Sequence, residues 1–356
     1  MRFDKVVISI MAIFSIIGAV DRICGNRLKL GAAFENGITT MGHLALSMIG
    51  IIVFSPVIAQ CLRPIIVPVY EFMGADPAMF AGTILASDMG GAQLAVDMAN
   101  CKEAAQLGGI IAASMLGVTV SFTIPVAMNV LSEEDRSYAA KGILCGITTI
   151  PVGVFAGGIT AGFSLSMIFK NTVPLLLFSF LIILGLLKAE SYLIKGFEVL
   201  GKFINGLTTV GLAAAGVELT IGYVIIPGLS SINEAFGIVG EIAIVLSGAF
   251  PMLALLTRIL KRPIGRISKI LKVNETAVSG LVASLANSIA TFDMVKEMDG
   301  RGKVINMAFA VSGAFVFGDH LAFTAGFDSE MIGALIVGKL CAGITAVLIA
   351  LLVVRD

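Results

Sequence analysis

Phe80-Ala81-Gly82-Thr83-Ile84-Leu85-Ala86-Ser87-Asp88-Met89-Gly90-Gly91-Ala92-Gln93-Leu94 is an apolar run interrupted at its centre by a polar knot. Within Pro77 to Ala99 each side of that knot offers about ten apolar residues, half of what a helix needs to cross a bilayer. The paired glycines allow a sharp backbone turn. A helix ending near Ala86 and another starting near Gly91 would therefore leave unpaired carbonyls and amides at a buried tip. A carboxylate at that depth costs at least about 2.5 kcal/mol on insertion scales, so Asp88 needs compensation. Two readings stay open: Asp88, with Ser87, holds a cationic solute, or it caps the second half-helix. A second knot, Ala286-Asn287-Ser288, breaks Thr276 to Met298 in the same way. It offers Asn287, Ser284 and Ser288 in place of a charge, although Asn287 could equally cap its own helix. Duplicated breaks of this kind mark transporters whose solute binds near mid-membrane.

Bulk composition agrees with a lipid environment. Of 356 residues, 57% are apolar and 13% charged, with mean hydropathy +1.00; soluble domains carry roughly 25% charged residues. The net charge of zero leaves no basic domain for nucleic acid. With no Trp and four Tyr, the aromatic belt is thin and interface anchoring falls to Lys, Arg and Phe. Five scattered Cys, without a C-x-x-C pair, suggest neither a disulfide framework nor a metal site. The first apolar run, Val6 to Val20, is followed by no small-residue cleavage site and reads as a first span.

The resulting fold class is an all-α polytopic membrane protein with about nine to eleven transmembrane helices. Nine apolar stretches suit full spans, among them Val173 to Lys188, Val304 to Phe327 and Met331 to Val354. Matches at near-constant spacing point to two five-element repeats: Val20-Asp21 with Val217-Glu218 at 197, Pro56 and Arg63 with Pro251 and Arg258 at 195, Gly82 with Gly280 and Ser114 with Ser312 at 198. Residues 1–165 form the first repeat, with its broken helix at 77–99, and 198–356 the second, broken at 276–298; 166–197 carry a linking span. The basic cluster Arg258, Lys261, Arg262, Arg266, Lys269 and Lys272 marks a cytoplasmic loop with a surface helix. If both broken segments are re-entrant, Arg22, Arg27, Lys29, Lys188, Lys195, Lys202 and Arg355 also lie inside, Asp328 and Glu330 lie outside, and the repeats are inverted. If both cross, eleven spans and parallel repeats follow, with a poorer charge count.

A third candidate, Asp319-His320, is embedded in the apolar run AFVFGDHLAFTAGF. Asp319 could neutralise a cationic solute and His320 could hydrogen-bond it or carry a proton; the alternative is an internal ion pair between helices. His43 reads as an interface residue, and Asp21 and Glu218 as span-end carboxylates facing headgroups. Ser132 before Glu133-Glu134-Asp135 reads as a helix cap. Enzyme signatures fail. There is no H-E-x-x-H, no G-x-S-x-G, no nucleotide-binding GK[ST], and Val316 stands where a G-x-G-D aspartyl protease needs its first Gly. No cofactor is implied.

Three strings carry a resemblance: IIVPVYEFMGADPAMFAGTILASDMGG (Ile65 to Gly91), MDGRGKVIN (Met298 to Asn306) and FGDHLAF (Phe317 to Phe323). They resemble the ethanolamine utilization permease family of bacterial catabolic operons, and the match spans essentially the whole chain. The resemblance implies ethanolamine as solute and the bacterial cytoplasmic membrane as location; homo-oligomerisation is left open. It assigns no site residues. Asp88, Asn287, Asp319, His320, Ser87 and Ser288 are the candidates that the residues themselves nominate. A passive amine channel and a membrane sensor or assembly protein are the competing readings.

Overall fold

The computed structural model describes residues 3–260 and 263–354, and all regular structure among them is helical. In chain order, α1 (Phe3–Ile23) and α2 (Leu30–Phe72) precede two short helices, α3 (Ala78–Ile84) and α4 (Gly91–Met98). Five long helices follow: α5 (Lys102–Val130), α6 (Glu133–Thr160), α7 (Leu165–Lys188), α8 (Glu190–Ile221) and α9 (Ile232–Leu260). Then come the short α10 (Ile264–Leu271), α11 (Glu275–Ser284), α12 (Ser288–Met294), α13 (Gly300–Ser312) and α14 (Asp319–Phe327), and finally α15 (Ser329–Val353). Eight of these helices, α1, α2, α5 to α9 and α15, are long and apolar enough to cross a bilayer. The protein is a multi-pass membrane protein. Ile16, Phe180, Leu181, Val210 and Leu348 are exposed on its flanks, as lipid allows and water would penalise.

Both predicted breaks are present. Between α3 and α4, Gly90 adopts φ +92°, and the Gly91 N–H donates to the Ala86 carbonyl at 2.9 Å. A side chain at 91 would run into the Leu85 and Ala86 carbonyls, so glycine is required for so tight a tip. Between α11 and α12 the chain turns at Leu285 to Asn287, and Asn287 caps α12 by accepting from the Ile289 N–H at 2.8 Å. A third break departs from the expectation: Val304 to Phe327, read as one unbroken span, is divided into α13 and α14 by Gly313 to Gly318. Here the N–H groups of Phe315 and Phe317 donate to Ser284 O and Leu285 O, both at 2.9 Å. The unwound segment thus satisfies orphan carbonyls at the α11–α12 tip, which satisfy it in return.

Small residues allow close helix crossings. α6 lies against α13 and α15, with Gly153 and Gly338 facing each other's carbonyl oxygens. Ser132 caps α6, accepting from the Asp135 N–H, as its sequence position predicts. Asp21 does not face headgroups: it is buried and accepts the N–H groups of Leu28, Leu30 and Gly31, each at 2.9 Å, which pins the α1–α2 turn.

Two ends of the bundle are defined by contacts between turns. At one, Asp76 bonds Asn171 and Asn100, and Asp4 accepts from Gly333. At the other, Arg258 donates to Leu28 O, Asp299 accepts from the Asn274 N–H, Lys303 meets Asp135, and Arg301 donates to Val354 O. This second end carries Arg22, Arg27, Lys29 and the basic α10. Lys261, Arg262 and Arg355, expected to add to it, lie outside the described residues.

Candidate functional site

Asp88 lies in a single 3₁₀ turn, Ser87–Met89, at the tip between α3 and α4. It caps neither helix, since the N-cap of α4 is Gly90 without a side-chain hydrogen bond. The tip is wedged inside the bundle. Gly90 lies against Ile51 of α2, Leu85 O abuts Gly117 of α5, and the Ala86 N–H donates to Ser121 Oγ at 3.2 Å.

The first turn of α14 brings the second ionisable pair to the same place. His320 is 1% exposed, and its Nε2 stands 3.7 Å from Asp88 Oδ1. That is too long for a hydrogen bond, and it is ion-pair distance only for a protonated ring. Adjacent residues diverge by about 100° around a helix, so His320 does not pair with Asp319; its partner comes from the other half of the chain. Asp319 feels the Asp88 charge as well. The His320 ring sits 5.1 Å from that of Phe315, which in turn meets Phe122 edge-on at 5.7 Å. Phe315 is itself held in the left-handed region at φ +62°, a strained conformation that the α11–α12 tip stabilises through backbone bonding.

That tip is the third component. Gly318, immediately before Asp319, lies against the Ala286 carbonyl so closely that a side chain there would collide with it. Asn287 and Ser288 are therefore brought near the start of α14 through the backbone. Asn287 uses its Oδ1 as a cap, which leaves its amide N–H₂ for another partner. Ser87 Oγ, Ser288 Oγ and His320 Nδ1 are all buried without a hydrogen-bond partner. Buried polar atoms are rarely left so, and the hydroxyls of Ser55, Thr123, Ser312 and Thr324 are in the same state.

One functional candidate escaped the sequence reading. Lys339 lies within α15, is 1% exposed, and donates from Nζ to the Ser114 carbonyl of α5. Its charge acts on both Asp88 and His320. A lone Lys in the run Ile332 to Val353 was the signal available. Four ionisable groups, from the α3–α4 tip, α14 and α15, thus share one apolar interior. An open cleft of about 630 Å³ elsewhere, lined by Ile38, Phe236, Ile244 and Ala325, holds none of them. Its walls are mostly apolar, with Glu241 the one charged residue among them. Among the described residues no cluster of His, Cys, Asp and Glu is arranged to hold a metal ion.

The family described as "Ethanolamine utilisation protein, EutH" matches residues 3–353. The chain is 50% identical over 351 residues to "Probable ethanolamine permease EutH" of Listeria monocytogenes, covering 99% of this chain and 94% of the relative. It is 46% identical to "Uncharacterized protein YxeR" of Bacillus subtilis, covering 97% and 94%. Against "Probable ethanolamine permease EutH" of Salmonella typhimurium the identity is 43%, covering 99% and 96%. No solved structure matches the chain.

Proposed function

The chain belongs to the EutH family of ethanolamine utilisation proteins, and from that premise we propose that it is a permease, not an enzyme. Its solute is ethanolamine in the ammonium form, carried across the bacterial cytoplasmic membrane by alternating access. The observation that carries this reading is the buried charge. Asp88 and Asp319 come from opposite halves of the chain, lie within electrostatic reach of each other inside the bundle with His320 Nε2 3.7 Å from Asp88 Oδ1, and sit at helix breaks. Carboxylates are retained at such depth for cationic cargo or proton relays, and the unpartnered hydroxyls of Ser87 and Ser288 suit the alcohol end of the same molecule. Asn287 contributes its free amide N–H₂.

Alternating access is supported by signs of inverted repeats. Element starts recur at one spacing, 197 residues (78 to 275 and 91 to 288). Helix contacts recur with them: Gly248 lies on the Met11 carbonyl as Gly50 lies on that of Thr208, and Gly82 meets Gly108 as Gly280 meets Asn306. Following the chain between the two ends of the bundle suggests nine crossings, made by α1, α2, α5 to α9, the broken α13–α14 pair and α15. The α3–α4 hairpin then enters from one end and α11–α12 from the other. The basic end would be cytoplasmic. Residues 1–165 and 198–356 would be the moving halves and 166–197 their link.

A monovalent cation crossing 100 mV gains about 2.3 kcal/mol, equivalent to roughly fifty-fold accumulation. Uniport therefore suffices energetically, and coupling to an ion through Asp319 and His320 would add to it. The test is counterflow of labelled ethanolamine in proteoliposomes. A carrier shows trans-stimulation and saturation, and Asp88→Asn abolishes both while the protein stays folded in the membrane. Non-saturating flux without trans-stimulation would mean an amine channel. No flux at all would favour the sensor or assembly reading.

A further inference from the structure

Lys339 is the one buried lysine among the described residues. Its three ammonium protons and full charge meet a single hydrogen-bonded carbonyl, Ser114 O, on the wide-turned segment Leu107–Gly117 of α5. A carbonyl dipole does not balance a buried ammonium, and a nearby carboxylate is what keeps such a group charged. The nearest acidic candidate is Asp88: Gly117, one turn beyond Ser114 on α5, abuts Leu85 O at the foot of the Asp88 tip, and Lys339 and Asp88 lie within electrostatic reach of each other. The two fully buried carboxylates, Asp21 and Asp135, belong to the basic end, where backbone N–H groups hold the first and Lys303 the second; Asp88 and Asp319 are partly buried inside the bundle. Counted with both carboxylates ionised, Lys339 protonated and His320 neutral, the interior holds two negative charges against one positive. A single negative charge is left over.

Resting on the permease reading above, we propose that Lys339 sets the valence of the solute site: acting as a resident second cation, it offsets one of the two carboxylates, so that one monovalent amine completes charge balance and a diamine is refused. The physical reason is that unbalanced charge in a low-dielectric interior is strongly disfavoured in either sign. A monocation brings the interior to zero, a dication leaves it positive, and a neutral alcohol leaves it negative. Lys339 thus acts on selectivity without needing to touch the solute, as a charge-positioning residue of the site.

The experiment is competition against labelled ethanolamine on purified protein in nanodiscs at neutral pH, with unlabelled ethanolamine and 1,3-diaminopropane as competitors. The wild-type protein is expected to prefer ethanolamine by at least about tenfold, the factor that 1.4 kcal/mol produces. Lys339→Met raises the leftover charge to two and should shift the diamine-to-monoamine ratio by at least about tenfold toward the diamine. Lys339→Arg keeps the charge and the wild-type ratio. The double variant Lys339→Met with Asp319→Asn restores a leftover charge of one, and the monoamine preference should return, which a merely structural role for Lys339 would not produce. An unchanged ratio in Lys339→Met, or equal binding of diamine and ethanolamine by the wild-type protein, overturns the valence proposal alone. Wild-type protein that binds no ethanolamine overturns the permease reading together with it. Should Lys339→Met fail to fold, Lys339→Gln carries the same prediction, and the wild-type selectivity is read without any variant.

Discussion

Asp135 and Lys303 join α6 to α13 through a 2.5 Å contact, with side chains only 8% and 15% exposed, and Lys303 also lies over the Tyr138 ring. Removing one partner of such a pair leaves the other buried and uncompensated, so Asp135→Ala should cost roughly 3 to 5 kcal/mol. Thermal melts in detergent check this, and the double variant Asp135→Ala with Lys303→Met should melt above Asp135→Ala alone. Asn287 permits a cleaner separation of roles. Asn287→Ala loses the α12 cap and about 1 kcal/mol, whereas Asn287→Ser keeps a capping oxygen and loses the amide N–H₂. We expect Asn287→Ser to melt like wild type and to take up ethanolamine at least about tenfold more slowly, the effect of losing one hydrogen bond to a charged or buried group. Unchanged uptake would leave Asn287 a cap and nothing more. At this scale the carboxylates were legible because an Asp in an apolar run is costly wherever it points. Lys339 was less legible for a physical reason: eight residues into its span, a lysine can snorkel to the interface, and only the rotation of α15 turns it inward onto Ser114.

Helix breaks were readable where polar residues interrupt an apolar run, with paired glycines at Ser87 to Gly91 and with Asn and Ser alone at Ala286 to Ser288. The break between α13 and α14 was not, because Ala314 to Phe317 is wholly apolar and the flanking Gly313 and Gly318 stand singly, without polar neighbours inside the run. Its unwinding is imposed by partners, the Ser284 and Leu285 carbonyls. Close crossings supply the element-level prediction. Gly50 and Gly248 admit the Thr208 and Met11 carbonyls, and a side chain at either would force its helix pair apart. Gly50→Leu and Gly248→Leu should each lower the melting temperature by several degrees and reduce uptake, since overpacking costs about 1 to 3 kcal/mol. Gly216→Ala on α8, with nothing within 4 Å, should do neither. Equal tolerance at all three positions would contradict the packing described.

For the whole molecule the proposed orientation can be read with native thiols. Cys101 is exposed beside Asn100 at the end that holds Asp76, and Cys24 is exposed at the basic end beside the α1–α2 turn. In single-cysteine variants an impermeant maleimide should label Cys101 in intact cells and Cys24 only after permeabilisation. The reverse pattern would place the basic end outside and break the inverted arrangement with a cytoplasmic α10.

Lipid as solvent, helix as the sole regular structure, two interrupted hairpins and the identity of the costly carboxylates all follow from composition and local pattern. Each depends on the price of exposing polar groups to hydrocarbon, which acts on every residue regardless of its neighbours. Which ionisable groups share one interior does not follow, because that depends on how distant segments rotate and dock. His320 faces Asp88 across 232 residues of chain, Lys339 reaches α5, and α14 begins only where a hairpin tip completes its backbone hydrogen bonds. Charge balance is a sum over groups that are remote in sequence, and folding alone brings its terms together.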